Sequence, residues 1–149
     1  MLNKLWKGAK DAAQDLKTSA LQFKNKKFMN AMAAGSVLIA RADGDISSEE
    51  KAKMMRMISS NDALSAFDTA SVIKVFNEYL GYFEFDADVG NTKAYEALNA
   101  IRGDEMQCRT LMRMIIAIAE ADGVFDSSEK AIANKIAVEI GVNAGDFEL

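Results

Sequence analysis

The chain has 149 residues, half of them hydrophobic, with no proline, no histidine, one cysteine and a formal net charge of −4. That length suits one domain able to bury roughly 70% of its unfolded surface, and a proline-free composition rich in Ala, Met, Leu, Lys and Glu predicts an all-α fold. Without an imidazole there is no serine or cysteine triad and no His-based zinc site, and one thiol builds neither a thiolate zinc site nor an iron–sulfur site, so enzymatic turnover is not expected.

What remains open to metal chemistry is oxygen ligation, which suits Ca²⁺, Mg²⁺ or Mn²⁺. No apolar run reaches the roughly 18 residues of a membrane span, and nothing reads as a secretory signal. The lone Cys108 fits a reducing cytoplasm, and its apolar neighbours make it a small buried hydrophobe rather than a nucleophile.

Charge is unevenly spread. Residues 1–27 carry a net of +5, and the remaining 122 residues carry −9. Over residues 1–24, Leu2, Leu5, Trp6, Ala9, Ala13, Leu16, Ala20 and Phe23 recur at three- and four-residue steps, which predicts a basic amphipathic N-terminal helix. Such a helix either lies on an anionic membrane surface or covers the helical core with its lysines in water. A short basic joint, Lys24-Asn25-Lys26-Lys27-Phe28, leads to the next helix. The acidic remainder of the chain argues against a nucleic-acid partner.

The chain then presents a stretch that it uses twice. Residues 39–51 read IARADGDISSEEK and residues 118–130 read IAEADGVFDSSEK, identical at eight of thirteen positions at an offset of 79. Each is preceded by apolar residues at helical spacing: Met32, Val37, Leu38 and Ile39, then Leu111, Ile115, Ile116 and Ile118. Gly44 and Gly123 supply a left-handed helix stop, Ser47 and Asp126 are N-caps, and Glu50 and Glu129 stand at N3 of a capping box. The repeat unit is therefore helix, sharp loop, helix. A unit and its copy are expected to pack around a pseudo-twofold axis, because neither alone can bury its apolar side.

Two readings of the loop acids stand side by side. They are turn and cap chemistry only, or Asp43, Glu50, Asp122 and Glu129 form a shared site for a hard divalent cation, with Asp45, Glu49 and Asp126 adding to the negative field. The loop is not an EF-hand: counting from Asp43, Ser48 occupies the sixth position and Met54 the twelfth, where glycine and glutamate are required.

Between the copies, a helix over about 48–59 ends at Asn61 and Asp62, and Asp68 with Thr69 caps a helix whose Val72, Ile73, Phe76, Tyr79, Leu80 and Phe83 form a broad apolar face. The alternating segment 84–88 reads as a solvated connection to a helix over about 92–102 that ends at Gly103. Asp104 with Gln107 caps the second repeat's first helix, Gly141 stops the last helix, and residues 143–149 form one final turn.

The order NKKFM at 25–29, ADGDISSEEK at 42–51, VFN at 75–77, FEFD at 83–86, ADGVFDSSEK at 121–130 and GVNAGDF at 141–147 closely resembles the tellurite-resistance TerB family. The resemblance implies an all-helical domain of about seven helices over residues 25–149, with repeat units at about 29–59 and 105–140. It also implies divalent metal bound through acidic residues, which by position are Asp43, Glu50, Asp122 and Glu129. Further implications are a cytoplasmic location at the inner membrane face, a role in tellurite or stress-response assemblies, and protein partners that include an integral membrane protein and calcium-binding proteins. One departure is that Val124 and Ser128 stand where the first copy has Asp45 and Glu49, which makes the two halves chemically unequal.

Overall fold

The computed structural model describes residues 25–60, 64, 65, 67–121 and 125–149. The N-terminal amphipathic helix expected over 1–24 lies outside the described residues, as do Asn61, Asp62, Asp122, Gly123 and Val124. Among the described residues there are six α-helices, one short 3₁₀ helix and no strand. The all-α class is as expected. The helix number is one short of the implied seven unless the 3₁₀ turn is counted.

Helix α1 (Lys26–Ala40) starts where Asn25 accepts the Phe28 amide at 2.8 Å, so residues 25–28 of the basic joint are in fact its cap and first turn. Every residue from Ala31 to Ile39 is buried. A helix apolar on all sides belongs in the middle of a bundle, and α1 packs against four others: α3 (Thr69–Phe85), α4 (Ala87–Asn99), α5 (Glu105–Glu120) and α6 (Ser127–Ile140). Gly35 permits a close approach to α5, since a Cβ there would stand 3.3 Å from two Ile115 side-chain carbons.

Helix α2 (Ser48–Ser60) is different. It rests mainly on α3, adds the Lys51–Glu84 ion pair, and buries only Ile58. Helices α3 and α4 meet at a single extended residue. Asp86 (φ −167°) closes α3 through its amide to Tyr82 O and opens α4 by accepting the amides of Asp88 and Val89 at 2.9 and 3.1 Å. The expected connection over 84–88 is thus one residue long, and α4 begins five residues earlier than its periodicity indicated. The acids there are cap chemistry.

Asp104 caps α5 through the Gln107 amide at 3.1 Å, and Gly141 (φ +82°) stops α6 as expected. The 3₁₀ helix Ala144–Phe147 is tied back to α5 by Arg109, which bonds Asp146 at 2.9 Å and lies 5.3 Å from the Phe147 ring centroid. Cys108 is buried in the first turns of α5, and burial pushes its thiol up, away from thiolate chemistry.

The pseudo-twofold relation holds only in part. The first helices of the two units, α1 and α5, pack on one another, and α1 also packs on α6. Helix α2, the counterpart of α6, leans outward on α3.

Candidate functional site

In both units the second helix opens on the same reciprocal cap, and in the first unit the loop before it is also described. After α1 the chain turns through Ala42 N to Ile39 O and Gly44 N to Arg41 O, both 3.0 Å, with Gly44 at φ +131°. Ser47 Oγ then accepts the Glu50 amide at 3.1 Å, and a Glu50 carboxylate oxygen accepts the Ser47 amide at 3.3 Å. In the second copy Asp126 accepts the Glu129 amide at 2.8 Å, and Glu129 accepts the Asp126 amide at 3.4 Å. Both capping boxes predicted from sequence are therefore formed. The Glu129 amide and the Ser128 hydroxyl hold the Asp126 carboxyl below the ordinary aspartate range.

Residues of both units line one cleft of about 370 Å³. Asp43, Glu50, Asp126 and Glu129 line it together with Lys53, so acids 76 or more positions apart in the chain meet at one rim. Its floor is apolar: Ile39, Met54, Met57, Ile115 and Ile118 contribute. Ser36 also borders it, only 4% exposed, and its hydroxyl is closed off from solvent without a hydrogen-bond partner. A buried hydroxyl without a partner is uncommon and costs free energy.

Of the predicted site residues, Asp43, Glu50 and Glu129 line the cleft, and so does Asp126, which was expected only to add to the field. Asp122 lies outside the described residues. Asp45 and Glu49 do not line it. Asp45 is 96% exposed and pairs with Arg41 at 3.0 Å, while the Arg41 guanidinium lies 4.3 Å from the Phe83 ring centroid. Asp43 makes no hydrogen bond or ion pair among the described residues. Among those residues, too, no three carboxylates stand close enough together to hold a metal ion. Sequence reasoning missed Ser36, Lys53, Met54 and Met57. A serine inside the apolar run of α1 was the available signal for the first.

No described helix is long and apolar enough to cross a membrane. The family described as Tellurite resistance protein TerB matches residues 29–149. A relative named Tellurium resistance protein TerB, from Alcaligenes sp, is 34% identical over 101 residues, which cover 68% of this chain and 83% of the relative. No solved structure matches the chain.

Proposed function

The chain belongs to the tellurite-resistance TerB family, and from that premise we propose that it is a non-enzymatic binding module whose acidic cleft takes a divalent cation and docks protein partners of a tellurite-resistance or stress-response assembly. The observation that carries this reading is the convergence of Asp43, Glu50, Asp126 and Glu129, from two distant loops, on one rim. Like charges gathered at one rim repel, and a hard cation relieves that repulsion through oxygen ligands. Asp122, the counterpart of Asp43, completes the proposed ligand set. Ca²⁺, Mg²⁺ and Mn²⁺ are the ions whose chemistry fits.

The cation's role in this account is to fix the angle between the two helix–loop–helix units, and through it the face offered to partners. The partners include an integral membrane protein at the cytoplasmic face of the inner membrane, with residues 1–24 as a peripheral contact. Titration calorimetry with Ca²⁺, Mg²⁺ and Mn²⁺ on the wild type and an Asp43→Ala/Asp122→Ala variant tests the ion. Saturable heat in the wild type that the variant loses supports the site; flat titrations at millimolar ion remove it.

A second reading is a protein-interaction domain without an ion. Two observations favour it: Glu50 and Glu129 already serve as caps, and although four acids line the cleft, no three described carboxylates stand close enough together to hold one ion. The same titration separates the two.

A further inference from the structure

We propose that Met54, Met55 and Met57 of α2 form a reversible oxidation site, and that their conversion to sulfoxides by a peroxide loosens α2 from the bundle. The inference stands apart from the ion and the partners. It rests on what holds the second helix of each unit in place.

Along α2 the residues that are not exposed are Lys51, Met54, Met55, Met57 and the buried Ile58. Three of its four apolar anchors are therefore thioethers. Met54 and Met55 pack against the core, while Met54 and Met57 line the cleft, which has room for a molecule as small as a peroxide. At the offset of 79, α6 carries Ala133, Asn134, Ile136 and Ala137 at the corresponding positions, with no sulfur. The deeply packed helix is held by hydrocarbon, and the one that leans outward is held by sulfur.

The chain's other oxidisable groups sit differently. Met32, Met112 and Met114 are at most 1% exposed, Met29 is partly buried in α1, and Met106 stands 59% exposed on α5. Cys108 is buried with its thiol pushed up, so the thiolate that would react with a peroxide is scarce. Oxidant from solvent thus meets α2 and Met106 first.

The step is a two-electron oxygen transfer. With hydrogen peroxide, the sulfur lone pair takes one oxygen, the O–O bond breaks as an S–O bond forms, and the other oxygen leaves as water. The thioether is oxidised, the peroxide is reduced, and no proton is gained or lost overall; a sulfoxide reductase reverses it. A sulfoxide is polar, and in an apolar seat it gives up the burial that held the helix. The half-exposed Lys51–Glu84 ion pair adds little to retain it. Glu50 then moves off the cleft rim together with α2.

The full chain is treated with hydrogen peroxide, oxygen gain is located by peptide mass spectrometry, and amide exchange is followed before and after. Met106 and the three α2 methionines should gain oxygen before Met32, Met112 and Met114 do. Exchange over residues 51–60 should accelerate about tenfold or more, the scale set by losing one thioether's burial, with residues 127–140 unchanged. Methionine sulfoxide reductases should restore the original rates. In Met54→Leu/Met55→Leu/Met57→Leu, a volume-conserving change whose fold circular dichroism verifies, Met106 should still oxidise while exchange over 51–60 no longer responds. The proposal is overturned if the α2 methionines resist peroxide while Met106 reacts, if their oxidation leaves exchange over 51–60 unchanged, or if the leucine variant responds as the wild type does. None of these readouts involves a cation or a partner, so their failure leaves the proposed function standing, and a flat cation titration leaves this site standing.

Discussion

Helices α2 and α6 begin alike and end in different surroundings. Both follow an Asp-Gly loop, and both open with an N-cap and an N3 glutamate that reciprocate. Yet α6 buries Ala133, Ile136, Ala137 and Ile140, while α2 buries Ile58 alone. The duplicated segment therefore encodes how a helix starts, not where it packs. Packing is decided by the positions beyond Lys51 and Lys130, where the copies diverge. Most helical stability comes from that packing rather than from caps, so the two units should differ in firmness.

The largest expected effect tests this directly. Ile136→Ala should cost about 2–5 kcal/mol, toward the upper end because the site is enclosed, whereas Ile58→Ala should fall toward the lower end because α2 can settle. Denaturant unfolding of the two variants decides it, and equal losses would break the contrast. Amide exchange sharpens it: α2 should exchange by local opening, and α6 only with near-global unfolding.

Next in size is Gly90→Ala. A Cβ there would meet Phe83 Cδ1 at 2.3 Å and Cγ at 2.4 Å, too near the ring's root for a harmless adjustment. A loss of about 1–3 kcal/mol is expected. Because the Phe83 ring also underlies Arg41 in the first loop, nuclear magnetic resonance shifts should spread to residues 41–46 and spare 125–130.

Smaller again is Ser47→Ala, which should cost about 1 kcal/mol at any pH by removing a neutral cap. The last prediction concerns its counterpart. The folded pKa of Asp126 is lowered from 3.8, so this cap contributes in full above that unfolded value and is lost as pH falls through the lower folded one. Melting temperatures of wild type and Asp126→Ser should therefore converge or cross as pH drops from about 6 to about 3, since serine holds its bond in acid. A gap that stays constant over that range would show that the charge of Asp126 does not matter to α6.

Much of this was legible in the sequence because it is written locally. Asp68, Asp104, Asp126 and Gly141 cap or stop helices where their side chains and φ values say they should. The apolar faces led by Met32, Leu111 and Phe76 are buried apart from Ile73 and Ile116, which are half-buried. Two features were hidden. Asp86 serves two helices at once, so the stretch around it looks like a loop when it is a hinge one residue wide. In the cleft, repetition pointed to Asp43, Glu50 and Glu129, but the floor is assembled from α1, α2 and α5, and no spacing along the chain announces that Met57 and Ile118 share it. Asp45 shows the converse: a loop acid beside the right motif went to a neighbouring guanidinium instead.

The burial of α1 has a consequence for how substitutions in it will be read. A rod that is greasy around its whole circumference gains nothing, in polarity, from one rotation over another. Its azimuth must instead be keyed by bulk: Gly35 under Ile115, and Ala31, Ala33 and Ala34 set among Phe28, Met32 and Val37. Along this helix, exchanging one apolar residue for another of different volume is the disruptive change, and tolerance will follow cubic ångströms rather than hydropathy.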